Sequence, residues 1–146
     1  MKWTIKLITT IFALSSFSLL ANPLVELYKS PTCGCCTEWA EIMQQKGYTV
    51  DIQPTQHWQQ VKQQFGMPTK LMSCHTAVIE GYMIEGHVPE SDIARLLSEK
   101  PTNIVGLAAP GMPQHSPGMA APGQDYKGFA VIAFDREGNT SIYSQY

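Results

Sequence analysis

Basic residues are scarce in this chain: ten Lys and Arg face twelve Asp and Glu over 146 residues, a formal net charge of −2. Nucleic-acid binding needs a basic patch to displace counterions from phosphates, so that class of partner is excluded. Long apolar runs are few as well. The one from Leu7 to Leu20 follows Lys2 and Lys6 and precedes the small Ala21, the three-part pattern of a secretory signal peptide over residues 1–21. No later run could span a bilayer, so a cleaved chain is expected to carry no membrane segment. No carboxylates cluster near the cysteines, which excludes hard ions such as magnesium or calcium. No internal repeat is evident.

Removal of the leader leaves residues 22–146, with 8 basic residues against 12 acidic and a formal charge of −4. That length suits a single domain able to bury a core without covalent staples. Four cysteines in an exported chain make disulfides the default reading. Their placement argues otherwise. Cys33-Gly34-Cys35-Cys36 packs three thiols into four residues, so only one bridge, from this cluster to Cys74, could close a long loop. The cluster marks either a redox centre or a metal site.

Leu24–Lys29 has the length and apolar content of a strand, and Ser30-Pro31-Thr32 breaks it before the cysteines. The cysteines open a helix in which Trp39, Ala40, Ile42 and Met43 recur at helical spacing up to Gly47. Tyr48–Ile52 alternates as a second strand. Thr55 is the expected N-cap of a helix with Trp58, Val61 and Phe65 on its packing face and Lys62 among glutamines on the other. Thr76–Ile79 and Tyr82–Ile84 predict a hairpin about Glu80-Gly81, and Pro89 starts a third helix carrying Ile93, Leu96 and Leu97. Residues 106–123, with four prolines, four glycines, two methionines, one histidine and no charge, predict a long flexible loop. Phe129–Phe134 and Ser141–Tyr143 flank a turn at Asp135–Asn139. The order matches an α/β, thioredoxin-like fold: a central mixed sheet with flanking helices, plus the Pro/Gly/Met loop and a C-terminal β-hairpin. In that fold the segment before the hairpin faces the first helix's N-terminus, which places Cys74 and His75 opposite Cys33–Cys36.

A helix N-terminus stabilises thiolate, and thiolates are both nucleophiles and soft metal ligands. Soft sulfur donors select Cu(I), zinc or iron–sulfur clusters. Structural zinc sites draw on two separated pairs of ligands, whereas here the split is three plus one. That division suits bridging several Cu(I) ions better than chelating one zinc. Thioether sulfur is also a Cu(I) ligand, so Met112 and Met119, with His115 between them, are either loop ligands or ordinary loop residues. His75 is a candidate ligand or proton donor beside Cys74. His87 reads as a structural histidine, His57 as solvent-facing, Trp39 and Trp58 as core anchors, and Met67 and Met72 as packing residues.

Four blocks occur in order: Cys33-Gly34-Cys35-Cys36, Ser73-Cys74-His75-Thr76-Ala77, Glu85-Gly86-His87-Val88-Pro89, and Gly106-Leu107-Ala108-Ala109-Pro110-Gly111-Met112-Pro113. With these, the chain over about residues 24–120 resembles the CopG-like copper-resistance proteins, small exported bacterial proteins long described only as a domain of unknown function. The resemblance implies a thioredoxin-like fold with a C-x-C-C motif, a periplasmic location and a role in copper homeostasis. It further implies copper held by Cys33, Cys35, Cys36 and Cys74, and an oxidoreductase acting on copper. The expected partners are copper ions and a periplasmic copper-handling or electron-transfer protein. Two rivals stay open: a thiol–disulfide oxidoreductase using Cys33 and Cys36, and a copper chaperone without redox activity.

Overall fold

The computed structural model describes residues 21–54 and 58–146; residues 1–20 of the expected signal peptide, the expected cap at Thr55 and His57 lie outside the described residues. The chain runs β1 (Leu24–Lys29), α1 (Gly34–Gln45), β2 (Thr49–Pro54), α2 (Trp58–Gln64), a 3₁₀ turn (Thr69–Leu71), β3 (His75–Ile79), β4 (Tyr82–Glu85), α3 (Glu90–Glu99), β5 (Gly106–Ala108), β6 (Ala130–Phe134) and β7 (Thr140–Gln145). The strands form one mixed sheet in the order β2-β1-β3-β4-β5-β6-β7. β1 pairs parallel with β2 and antiparallel with β3, and β3 turns back into β4 through Glu80-Gly81. This α/β frame is the thioredoxin-like arrangement that the element order implied.

Alternation along β1 buries Val25 and Leu27 against Ala77, Ile79 and Ile84 of the neighbouring hairpin. Trp39, Ala40 and Met43 of α1, with Ile93 and Leu96 of α3, complete the same core. Each large side chain so buried contributes roughly 1.5–3 kcal/mol. The indole N–H of Trp39 donates to the Val88 carbonyl at 2.9 Å, so the largest core side chain is also polar-satisfied and ties α1 to the segment before α3. Met67 and Met72 pack with Leu71, Met83 and Phe134 in a second cluster, as expected of packing residues.

Three expectations are corrected. Gly106–Ala108 is a strand rather than the start of a loop: it pairs parallel with β4 and antiparallel with β6, and thereby joins the C-terminal hairpin to the main sheet. Three residues are too few for periodicity to reveal. Lys62, expected on the solvent face of α2, is wholly buried, because its ammonium finds Glu85 on β4. Trp58 is half-buried rather than a core anchor, and its ring lies 4.5 Å from the Lys62 ammonium. Among the described residues no helix is long and apolar enough to cross a membrane.

Candidate metal centre

Cys33 is the N-cap of α1, and a cysteine has no oxygen to cap with; no side-chain hydrogen bond closes this end and no acidic residue occupies the first turn. The partial positive charge of this helix end therefore lies beside the cysteines with no carboxylate to neutralise it. Beneath the turn, the buried Lys29 ammonium donates to the carbonyls of Ser30 (3.2 Å) and Cys33 (3.3 Å), fixing the approach of β1 to the helix. Cys36 is fully buried while Cys33 and Cys35 are half-buried.

Cys33 and Cys36 are joined as a disulfide, and Cys35 and Cys74 are free thiols. Each bridged sulfur has a free neighbour: Cys35 Sγ lies 3.6 Å from Cys33 Sγ, and Cys74 Sγ lies 3.5 Å from Cys36 Sγ. The disulfide joins the two ends of C-x-x-C and leaves Cys74 unbridged, so it staples no distant part of the chain. All four sulfurs lie within 4.8 Å of one another. Placement of Cys74 opposite the C-x-C-C turn, expected from the fold, is what the structure contains.

A second group shares two of these sulfurs. Cys36, Cys74, His75 and His87 also present ligand atoms within 4.8 Å of one another. His87 Nε2 is 3.1 Å from Cys74 Sγ, and His75 Nδ1 is 3.7 Å from it. The sequence reading of His87 as purely structural is therefore incomplete. His87 Nδ1 donates to the Pro117 carbonyl at 2.6 Å, so in the neutral ring the Nε2 lone pair faces the thiol. Glu85-Gly86-His87-Val88-Pro89 was visible as a block, but only the loop that supplies Pro117 reveals which ring nitrogen is free. Gly86, at φ +70°, passes so close to the Ser73 side chain that a Cβ would overlap it, which seats the start of this turn against the Cys74 segment.

Burial sets the electrostatics. It pushes the Cys74 thiol up to about 11, with the Ser73 hydroxyl pulling the other way. It lowers His75 well below the usual histidine range, helped by the charges of His87 and Lys62, and it lowers His87 too, opposed by the Pro117 carbonyl. Both imidazoles are thus neutral near pH 7 and hold a lone pair. His75 Nε2 is buried without a hydrogen-bond partner among the described residues, and the His75 ring packs between Trp39 and His87 at 4.8 and 5.0 Å.

The Pro/Gly/Met loop is packed rather than free. Ser116 and Pro117 are buried, and a Cβ on Gly118 would come within 2.7 Å of the Cys35 carbonyl and 2.9 Å of the Trp39 amide. The loop crosses α1 at the cysteines, and a side chain at Gly118 would lift it off. Met112 is exposed and lines a groove of about 340 Å³ with Met72, Ser73 and Cys74. Met119 is half-buried beside Gly118. His115 is half-buried with its Nδ1 unpartnered among the described residues. A donor set of four sulfurs and two neutral imidazoles, without carboxylate, fits a soft metal ion.

The family described as "Protein of unknown function, DUF411" matches residues 71–119, the stretch that carries Cys74, His75, His87, Met112 and Met119. No curated protein matches the chain. Among solved structures, one titled "Copper resistance protein copG- Form 2" shares 34% identity at a TM-score of 0.78, covering 86% of this chain and 98% of its own. A second, "Copper resistance protein copG- Form 1", shares 35% identity at a TM-score of 0.77, covering 84% of this chain and 96% of its own. With that identity over nearly the whole length of those proteins, and with the same fold, the chain belongs to the family of the copper resistance protein CopG.

Proposed function

We propose that this protein binds copper in the periplasm, after removal of residues 1–21, and holds more than one Cu(I) ion on the thiolates of Cys33, Cys35, Cys36 and Cys74. The observation that carries the reading is the convergence of these four sulfurs within 4.8 Å, from two segments 38 residues apart. Thiolates bridge Cu(I) readily, and a sulfur set split three plus one presents several edges to more than one ion. His75 and His87 supply neutral nitrogen donors on the Cys74 side, and Met112 and Met119 offer thioethers from the loop. Binding displaces the thiol protons, so affinity rises with pH until the thiols are ionised.

The Cys33–Cys36 disulfide supports a redox role on the same copper. Two Cu(I) ions each give one electron to the S–S bond, which breaks into two thiolates and leaves two Cu(II) ions. The reverse step re-forms the bond and returns both electrons to copper. A role in copper resistance follows from either direction, because it sets which oxidation state is passed on to a copper-handling or electron-transfer partner.

The disulfide equally favours a second reading, thiol–disulfide exchange on protein substrates with Cys33 as nucleophile and Cys36 as resolving thiol. Cys35 and Cys74, each within 3.6 Å of one bridged sulfur, count against it, since they compete for any mixed disulfide. An anaerobic Cu(I) titration of the reduced chain against a chromophoric competitor separates the two. More than one tightly held Cu(I) per chain is the expected result; negligible binding together with chelator-insensitive insulin reduction establishes the exchange reading instead.

A further inference from the structure

Cys74 stands on a segment with little regular structure of its own: Ser73 makes an isolated bridge to Gly111, and β3 begins only at His75. Two other elements hold it. Lys62 of α2 and Glu85 of β4 are both wholly buried and joined Nζ to Oε1. Lys62 Nζ also donates to the Ser73 carbonyl at 3.0 Å, and Glu85 Oε1 accepts the Ser73 N–H at 2.5 Å. The ion pair thus takes both backbone polar groups of the residue before Cys74. Glu85 Oε2 accepts the Thr76 hydroxyl at 2.7 Å, so one carboxylate pins the chain on both sides of Cys74-His75. The Ser73 hydroxyl donates onward to the Gly111 carbonyl, which draws the loop into the same junction.

For stability alone this is a poor use of two buried charges, because apolar residues of similar volume commonly do as well or better. What apolar residues cannot do is grip one N–H and one C=O of the same residue. We propose that Lys62 and Glu85 are positioning residues of the metal centre, a two-pronged clamp on Ser73 that holds Cys74 Sγ beside Cys36 Sγ. The proposal deepens the copper reading, and it is separable from it because the approach of the two sulfurs is measurable without copper.

In a Cys33→Ser, Cys35→Ser background, Cys36 and Cys74 are the only thiols. Diamide oxidises the pair: two thiols give up two protons and two electrons to the azo group, which becomes the hydrazine, and an S–S bond forms. Lys62→Met and Glu85→Leu introduced together remove the clamp without stranding a charge. The expected result is a folded chain whose melting temperature falls by a few degrees, because the Ser73 N–H and C=O and the Thr76 hydroxyl lose partners, with oxidation slowed about 10- to 100-fold and Cu(I) affinity of the four-cysteine chain reduced by a similar factor. A folded double variant that oxidises at the parental rate overturns the proposal. Should the double variant not fold, amide exchange on the unaltered chain decides: Ser73 N–H exchanging as slowly as the β3 amides supports the clamp, and exchange at the rate of an open loop overturns it. Failure of the unaltered chain to bind copper, with clamp-dependent oxidation intact, refutes the copper reading and upholds the clamp.

Discussion

Cys74 Sγ lies 3.5 Å from Cys36 Sγ and 3.1 Å from His87 Nε2, so one thiol joins the sulfur group on α1 to the histidine group beside β3 and β4. A residue common to both groups is the natural keystone of the proposed copper site, and its removal separates metal binding from folding.

Cys74→Ser is expected to lower Cu(I) stoichiometry, and to cost affinity at least the roughly 10- to 100-fold that follows loss of a supporting partner. Stability should fall by only about 1 kcal/mol, the worth of its hydrogen bonds, because Cys74 is a free thiol. Competitor titration and urea denaturation check the two halves. A loss of roughly 2–4 kcal/mol would instead mean that Cys74 is bridged in solution.

In the Cys33–Cys36 oxidised protein the Cys74 thiol is expected to alkylate slowly at neutral pH. Burial holds Cys74 at about 11, so its labelling by iodoacetamide should be slow at pH 8 and climb steadily to pH 11. Peptide mass spectrometry resolves it from Cys35. Thiol counts on the denatured chain should be two before reduction and four after it.

Both His75 and His87 titrate below the usual range when folded. Between the folded and unfolded values the unfolded chain binds more protons. Stability is therefore fully present above about pH 6.5 and is lost as pH falls from there toward the folded values, by up to about 1.4 kcal/mol per pH unit for each histidine. Urea denaturation of the apoprotein between pH 7 and 5 measures the slope, and His87→Gln should make it shallower. An identical slope in that variant would show that His87 protonates freely in the folded state.

Gly118→Ala combines an unfavourable φ of +80° with a Cβ 2.7 Å from the Cys35 carbonyl. The expected outcome is a loss of about 1–3 kcal/mol and weaker copper binding, as the loop lifts from α1 and releases the Pro117 carbonyl from His87. Thermal melting and Cu(I) titration on the same preparation test it. A variant with parental values for both would show that the loop's seat on α1 is dispensable.

The local units were legible because each carries its own periodic or chemical signal. Leu24–Lys29 is an apolar run of strand length, Trp39, Ala40 and Met43 recur at helical spacing, and Glu80-Gly81 turns a hairpin. β5 was not legible, since Gly106, Leu107 and Ala108 form a strand only through partners on either side. Lys62 was placed on the wrong face for a related reason: helical periodicity assigns charge to solvent, and only a partner 23 residues away makes burial tolerable.

By itself the sequence determined the composition of the site: three thiols in four residues at a helix start, a fourth before a hairpin, and no carboxylate among them, which is a soft donor set wherever the chain takes it. Tertiary structure alone decided which donors meet. His87 joins Cys74 because the Pro117 carbonyl turns its ring, and Cys74 reaches Cys36 from a segment clamped by Lys62 and Glu85. Those contacts are between residues far apart in the chain, bonded through groups whose partners no local spacing encodes.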